Sequence, residues 1–164
     1  MKSKIILLLV LLLLSTWYFI NNREPKRENV FEEYRTFEYV EEMLVFEPKK
    51  SKEIPFEVTD EFASIQLTYL IDGDFFQEAS FHYQNSNTNQ KFKLIVTYNS
   101  QIELPEGEKI KITNLLNGIL KEESSIQSIW WIEEGLVYRL VYYINEEQEK
   151  LTKEELITLV KSME

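Results

Sequence analysis

Side chains able to do chemistry are few in this chain, and their spacing limits what they can do. His82 is the sole histidine and there is no cysteine. Disulfides, thiolate nucleophiles and cysteine-based zinc or iron–sulfur sites are therefore excluded, and no second imidazole exists for a metal site or a relay. His82 falls on the polar side of an alternating segment, with no Ser/Asp pair at a recognisable spacing. It reads as a solvated surface histidine rather than a general base. Asp72-Gly73-Asp74 resembles a fragment of a calcium loop, but the remaining ligands of such a loop are missing, and a hairpin turn is the simpler reading. Asp60-Glu61 offers one half of a glycosidase carboxylate pair, yet nothing in the sequence sets a second carboxylate opposite it. The four glycines, Gly73, Gly107, Gly118 and Gly135, stand singly in turns, so no loop cradles a phosphate. The expectation is a protein that is not an enzyme, with no catalytic, cofactor-binding or metal-ligating residues and no cofactor.

Two features carry binding weight instead. Lys91 and Lys93 share one side of their segment, as do Lys109 and Lys111, so in-register pairing would gather four ammonium groups on one face as a site for an anion or a cell-wall polymer. The plainer reading is that they offset Glu78, Glu103, Glu106, Glu108 and Glu122 across the strands. The second feature is the aromatic content of nine Tyr, ten Phe and three Trp. Trp130 and Trp131 are adjacent, and in a strand they must face opposite sides. One faces the core; the other meets a helix, a groove or solvent.

These groups have to be held by an acidic chain of 164 residues with a net charge of −10, more acidic still once Lys2 and Lys4 are set aside. That length suits one domain, and that charge argues against nucleic acid as a partner, because phosphate neutralisation needs a basic surface. Residues 1–20 are the exception to the polar pattern: Met1-Lys2-Ser3-Lys4 is succeeded by an uncharged run from Ile5 to Ile20. A cleaved signal peptide and an uncleaved anchor both begin this way. The run closes on Ser15-Thr16-Trp17-Tyr18-Phe19-Ile20, without the small residues a cleavage site wants, which favours a signal anchor, a transmembrane helix. Without cysteine there is no lipobox. Lys2 and Lys4 on one side are balanced by Arg23, Lys26, Arg27 and Arg35 on the other, so charge alone does not vote on orientation. A short leading segment ahead of a sizeable domain most often exports that domain, which places the body outside the membrane.

Residues 21–29 are polar, contain Pro25 and read as a juxtamembrane linker. Over residues 30–46, Phe31, Tyr34, Phe37, Val40 and Leu44 recur at three- and four-residue spacing among five glutamates, and predict an amphipathic helix ending before Pro48. Its stripe would pack on the domain's own sheet; docking to another protein or to the membrane surface is the functional alternative, and the glutamates speak against an anionic lipid surface for that helix.

Residues 47–164 form the sheet domain. Period-two alternation marks strands around Ile65–Ile71, Ala79–Tyr83, Phe92–Tyr98, Lys109–Thr113, Gly118–Lys121, Ile126–Glu133 and Leu136–Ile144, joined by short turns. Seven strands in an antiparallel meander are expected, the last of them apolar on both faces as a central strand would be. Thr152 with Glu155 forms a capping box, and Leu156, Leu159, Val160 and Met163 make one apolar stripe, predicting a C-terminal helix packed on the sheet. The fold class is α+β.

The run Trp131-Ile132-Glu133-Glu134-Gly135-Leu136-Val137-Tyr138-Arg139-Leu140, together with Leu151-Thr152-Lys153-Glu154-Glu155-Leu156 and Val160-Lys161-Ser162-Met163, resembles the end of the bacterial family called domain of unknown function 4367. Ile54-Pro55-Phe56-Glu57-Val58 resembles that family's proline-marked start, so the similarity spans about residues 45–164. Trp131, Gly135 and Tyr138 match its pattern as core anchor, turn and strand. The resemblance implies an extracytoplasmic domain of Gram-positive bacteria, often tethered and sometimes joined to sensing or anti-sigma modules, with no catalysis. The expected function is therefore that of a membrane-tethered binding, sensor or accessory domain of the cell envelope. Its partners would be the membrane through the N-terminal helix and an envelope protein or cell-wall component. The alternative is a carrier of a lipid or other hydrophobic ligand in a groove between sheet and helices.

Overall fold

The computed structural model describes residues 28–69, 75–98, 103–145 and 149–163. The expected transmembrane segment at 1–20, most of the linker and the Asp72-Gly73-Asp74 turn lie outside the described residues. No described helix is long and apolar enough to cross a membrane. The elements in chain order are β1 (Glu28–Arg35), α1 (Phe37–Met43), β2 (Asp60–Tyr69), β3 (Phe75–Asn85), β4 (Gln90–Tyr98), β5 (Glu108–Lys111), β6 (Asn117–Glu122), β7 (Ile126–Glu133), β8 (Leu136–Tyr143) and α2 (Lys153–Lys161). Strands β2 to β8 make a seven-stranded antiparallel sheet, with β1 added at the edge beside β2. The architecture is α+β, with two helices, one of them near the C-terminus.

The strand order, β1-β2-β3-β4-β8-β7-β6-β5, corrects the expected continuous meander. After β4 the chain runs to the far edge, starts again at β5 and folds back inward until β8 closes against β4. The reason lies in composition. Strand β8, LVYRLVYY, is the most apolar of the second group and is buried at six of its eight positions, so it belongs inside the sheet. Short β5, EKIK, tolerates an edge because its lysines discourage further pairing.

The helix expected over residues 30–46 is also corrected. Only Phe37–Met43 is helical, while Glu28–Arg35 pairs as β1 with β2 through a register shift between Val30 and Glu33. Thr36 sets the boundary: it has extended backbone angles and its hydroxyl accepts from the Tyr39 amide at 3.3 Å, which makes it the N-cap. Upstream of that cap, β-branched and aromatic residues suit a strand as well as a helix.

Both helices and the segment from Leu44 to Val58 pack on one face of the sheet. Phe37 meets the rings of Phe81 and Tyr83 edge-on at 5.2 Å. Leu156, Leu159 and Val160 bury the stripe of α2 in the same core as Leu94, Ile129 and Leu140. At about 1.5–3 kcal/mol for each fully buried aliphatic side chain, this packing holds a helix too short to persist alone. The capping box forms as expected: the Glu155 amide donates to Thr152 Oγ1 at 3.2 Å and the Thr152 amide donates to Glu155 Oε2 at 2.7 Å. The Thr152 amide foremost, and the Thr152 hydroxyl at 2.8 Å, donate to the Glu155 carboxylate and hold it below its ordinary range.

Buried amides fasten the irregular segments. Gln127 donates to the Leu151 carbonyl at 2.8 Å and accepts from the Leu151 amide at 2.9 Å; Gln77 does the same between Met43 and Val45 at 2.9 Å each. Trp131 stacks on Tyr138 at 5.0 Å, and the Tyr138 hydroxyl accepts from the Lys49 amide at 3.3 Å. The turn between β7 and β8 needs positive φ at Glu134 (53°) and Gly135 (79°), as a tight two-residue hairpin does. Gly118 answers a different need, since a Cβ there would lie 2.9 Å from both Ile112 Cδ1 and the Trp130 carbonyl oxygen.

Candidate functional site

The candidate site is the other face of the sheet. The ring contacts and hydrogen bonds that α1, the Leu44–Val58 segment, Leu151 and α2 make with sheet side chains reach Gln77, Phe81, Tyr83, Asn85, Tyr98, Glu108, Gln127, Glu133 and Tyr138. By strand register all of these point to the covered face. No described helix or strand packs on the opposite side, which Leu104, ahead of β5, reaches at one edge, lining a depression with Lys109, Lys111 and Ile119.

Register assigns the residues of that open face. Across the middle of the sheet run Ser64, Ser80, Ile95, Arg139, Trp130, Ile119 and Lys109, each paired with the next. One level along run Phe62, His82, Lys93, Val141, Ser128 and Lys121. Small hydroxyl residues, Ser64, Thr68, Ser80, Thr97 and Ser128, are sunk among longer neighbours, while Ile132 and Tyr143 are exposed. The Arg139 guanidinium lies over the Trp130 ring at 4.6 Å from its centroid, a cation–π contact near the middle of the face. Trp130 Nε1 and Arg139 Nε make no hydrogen bond within the protein.

At one end of the face is a depression of about 500 Å³, lined by Phe62, His82, Gln84, Lys91 and Tyr143 and by Tyr83 and Phe92. His82 stacks on Phe62 with centroids 4.5 Å apart and planes at 14°. Burial first, and the nearby Lys93 ammonium second, push its pKa down to about 4. The imidazole is therefore neutral at physiological pH and half-buried, a correction to the expected solvated residue.

Asp60 and Glu61 point to opposite faces. Asp60 accepts from Thr59 Oγ1 at 2.7 Å and Ser86 Oγ at 2.5 Å, and these bonds, that from Ser86 foremost, hold its carboxyl below the ordinary range. The other strand carboxylate on the open face, Glu78, is six residues along the β2–β3 ladder, roughly 20 Å away. Glycosidase pairs sit about 5–10 Å apart, so these two do not form one. Among the described residues no cluster of His, Asp and Glu is arranged to hold a metal ion.

The four lysines singled out in the sequence do share a face, but they do not gather. Lys91 and Lys93 are on β4 and Lys109 and Lys111 on β5, with β8, β7 and β6 between them. Trp131 is the core tryptophan, 1% exposed, and Trp130 is the one on the open face. Sequence reasoning missed the Arg139–Trp130 contact, because only the β7–β8 register places the two opposite each other. The Trp131-to-Arg139 run carries the hairpin that sets that register. The chain matches no family model, no curated protein and no solved structure.

Proposed function

We propose that this chain is a non-catalytic binding domain, tethered to the outer face of a bacterial membrane by its first twenty residues, with the open sheet face as its binding surface. One observation carries the reading: a whole face of the sheet, bearing Trp130, Ile132, Tyr143 and Ile119, has no described helix or strand packed on it. A sheet sealed on one side by two helices has no structural need for aromatic and branched aliphatic side chains on the other, and such a surface marks an interaction site. The uncharged run from Ile5 to Ile20 supports the tether, and the resemblance of residues 45–164 to an extracytoplasmic family supports the placement.

The carrier alternative has less support. It needs open volume between sheet and helices, and that space is filled by Val40, Phe81, Leu94, Leu140 and Leu156, all fully buried.

A photo-crosslinking residue at position 132, compared with one at 154 on α2, tests the proposal in intact cells. Envelope components captured from position 132 and not from 154 are the expected result. Capture from neither position, or protection of the whole body from protease added to cells, would overturn the reading.

A further inference from the structure

The two faces of the sheet differ in charge as well as in cover. Strands β2 to β8 carry six cationic side chains, Lys91, Lys93, Lys109, Lys111, Lys121 and Arg139, and register puts every one on the open face. The same strands carry Asp60, Glu61, Glu78, Glu108, Glu122 and Glu133, of which only Asp60 and Glu78 share that face. Glu123 adds one rim carboxylate, 3.0 Å from Lys121. A protein with a net charge of −10 thus holds a cationic plane. The acids of the covered side do not cancel it, because sheet and helix layers put many of them about 10 Å or more away, beyond the screening length of about 8 Å at physiological salt.

We infer that this plane rests on an anionic phospholipid bilayer, with the domain lying flat and its helix-covered face turned outward. Three observations favour a lipid surface over a linear polyanion. The cations are spread in two dimensions, from β4 across to β5 at four strand spacings or roughly 19 Å, rather than aligned along a groove. Trp130, Tyr143, Ile119 and Ile132 stand among them, and aromatic and aliphatic groups beside Lys and Arg suit the headgroup region. Only residues 21–27 separate the uncharged leading run from β1, a reach of at most about 25 Å. The inference rests on the tethered reading above, since the tether brings the face within reach of the headgroups.

The absence of native cysteine makes the test direct. Full-length Ile132→Cys and Glu154→Cys variants, each carrying one fluorophore, are reconstituted into vesicles of phosphatidylcholine or of equimolar phosphatidylcholine and phosphatidylglycerol, doped with headgroup-quencher lipid. The expected result is quenching at position 132 in the anionic vesicles only, release in about 1 M salt, where the screening length is about 3 Å, and no quenching at position 154. Lys91→Gln, Lys109→Gln and Lys111→Gln should each weaken the contact about fivefold. Equal quenching at both positions, quenching indifferent to lipid charge, or none while the protein floats with the vesicles would overturn the inference and leave the tether standing. A protein that floats with neither vesicle would overturn the tethered reading itself. A label silent to both vesicles but shifted by long-chain polyphosphate would assign the face to a linear polyanion and overturn the lipid assignment.

Discussion

The covered face buries Phe81, Phe92, Leu94, Ile129, Trp131 and Leu140, whereas most of what the open face buries is small and hydroxylated, Ser64, Thr68, Ser80, Thr97 and Ser128. Large aliphatic and aromatic groups can be dry only where another layer seals them, and on this sheet that layer is α1, α2 and the segment between α1 and β2. Where no layer lies above, the residues that lose contact with water are short ones between taller neighbours such as Arg139, Ile95 and Lys93. Stability is therefore concentrated on one side and recognition is free to develop on the other. Charge respects the same division.

Adjacent tryptophans give the sharpest way to break this comparison. Trp131→Ala removes a fully buried ring stacked on Tyr138 and should cost about 3–5 kcal/mol in urea denaturation. Trp130→Ala, one residue away on the open face and only partly buried, should cost less, about 1–2 kcal/mol, from the cation–π contact with Arg139 and the part of the ring that is covered. Equal losses would mean that the open face is as much core as its opposite. Gly118→Ala comes next, at about 1–3 kcal/mol, because the new methyl group meets the Trp130 carbonyl as well as Ile112.

His82 tests the open face by pH. Its folded pKa of about 4 lies below the ordinary 6.5, so between these values the unfolded chain binds more protons than the folded one. The contribution to stability is complete above about pH 6.5 and drains away as the pH falls towards 4. Denaturation midpoints measured across that window should fall with acid and should fall less in His82→Gln. Tracking the lone imidazole by NMR gives the same answer directly: a titration midpoint near 6.5 would refute the half-buried placement.

The smallest effect belongs to the end of the covering layer. Thr152→Ala removes the N-cap of α2 and should cost about 1 kcal/mol, visible as faster amide exchange in the first turn of that helix. Thr152→Ser should restore most of the loss.

Legibility in the sequence tracks the range of the interaction. Thr152 and Glu155, Glu134-Gly135, and the alternation of Phe92, Leu94 and Val96 all act between near neighbours, and the capping box, the hairpin turn and the strands are found where the sequence places them. Residues 30–35 mislead because their spacing satisfies a helix while the pairing that holds them as β1 comes from β2, some thirty residues away. The shared side of Lys91 with Lys93, and of Lys109 with Lys111, is legible from period two alone. Their separation is not, because it depends on which strands lie between.

The sequence by itself determined the α+β composition, the extent of most strands, the cap of the last helix, the opposition of Trp130 to Trp131 and the scarcity of reactive groups, because each depends only on side-chain alternation, local hydrogen bonding or residue type. The tertiary structure alone decided that β8 pairs with β4, that Arg139 lies over Trp130, and that every strand cation in β2 to β8 falls on the uncovered face. Those outcomes depend on strand order and register, which the whole sheet chooses together by burying its most apolar strand at the centre and leaving its charged one at the edge.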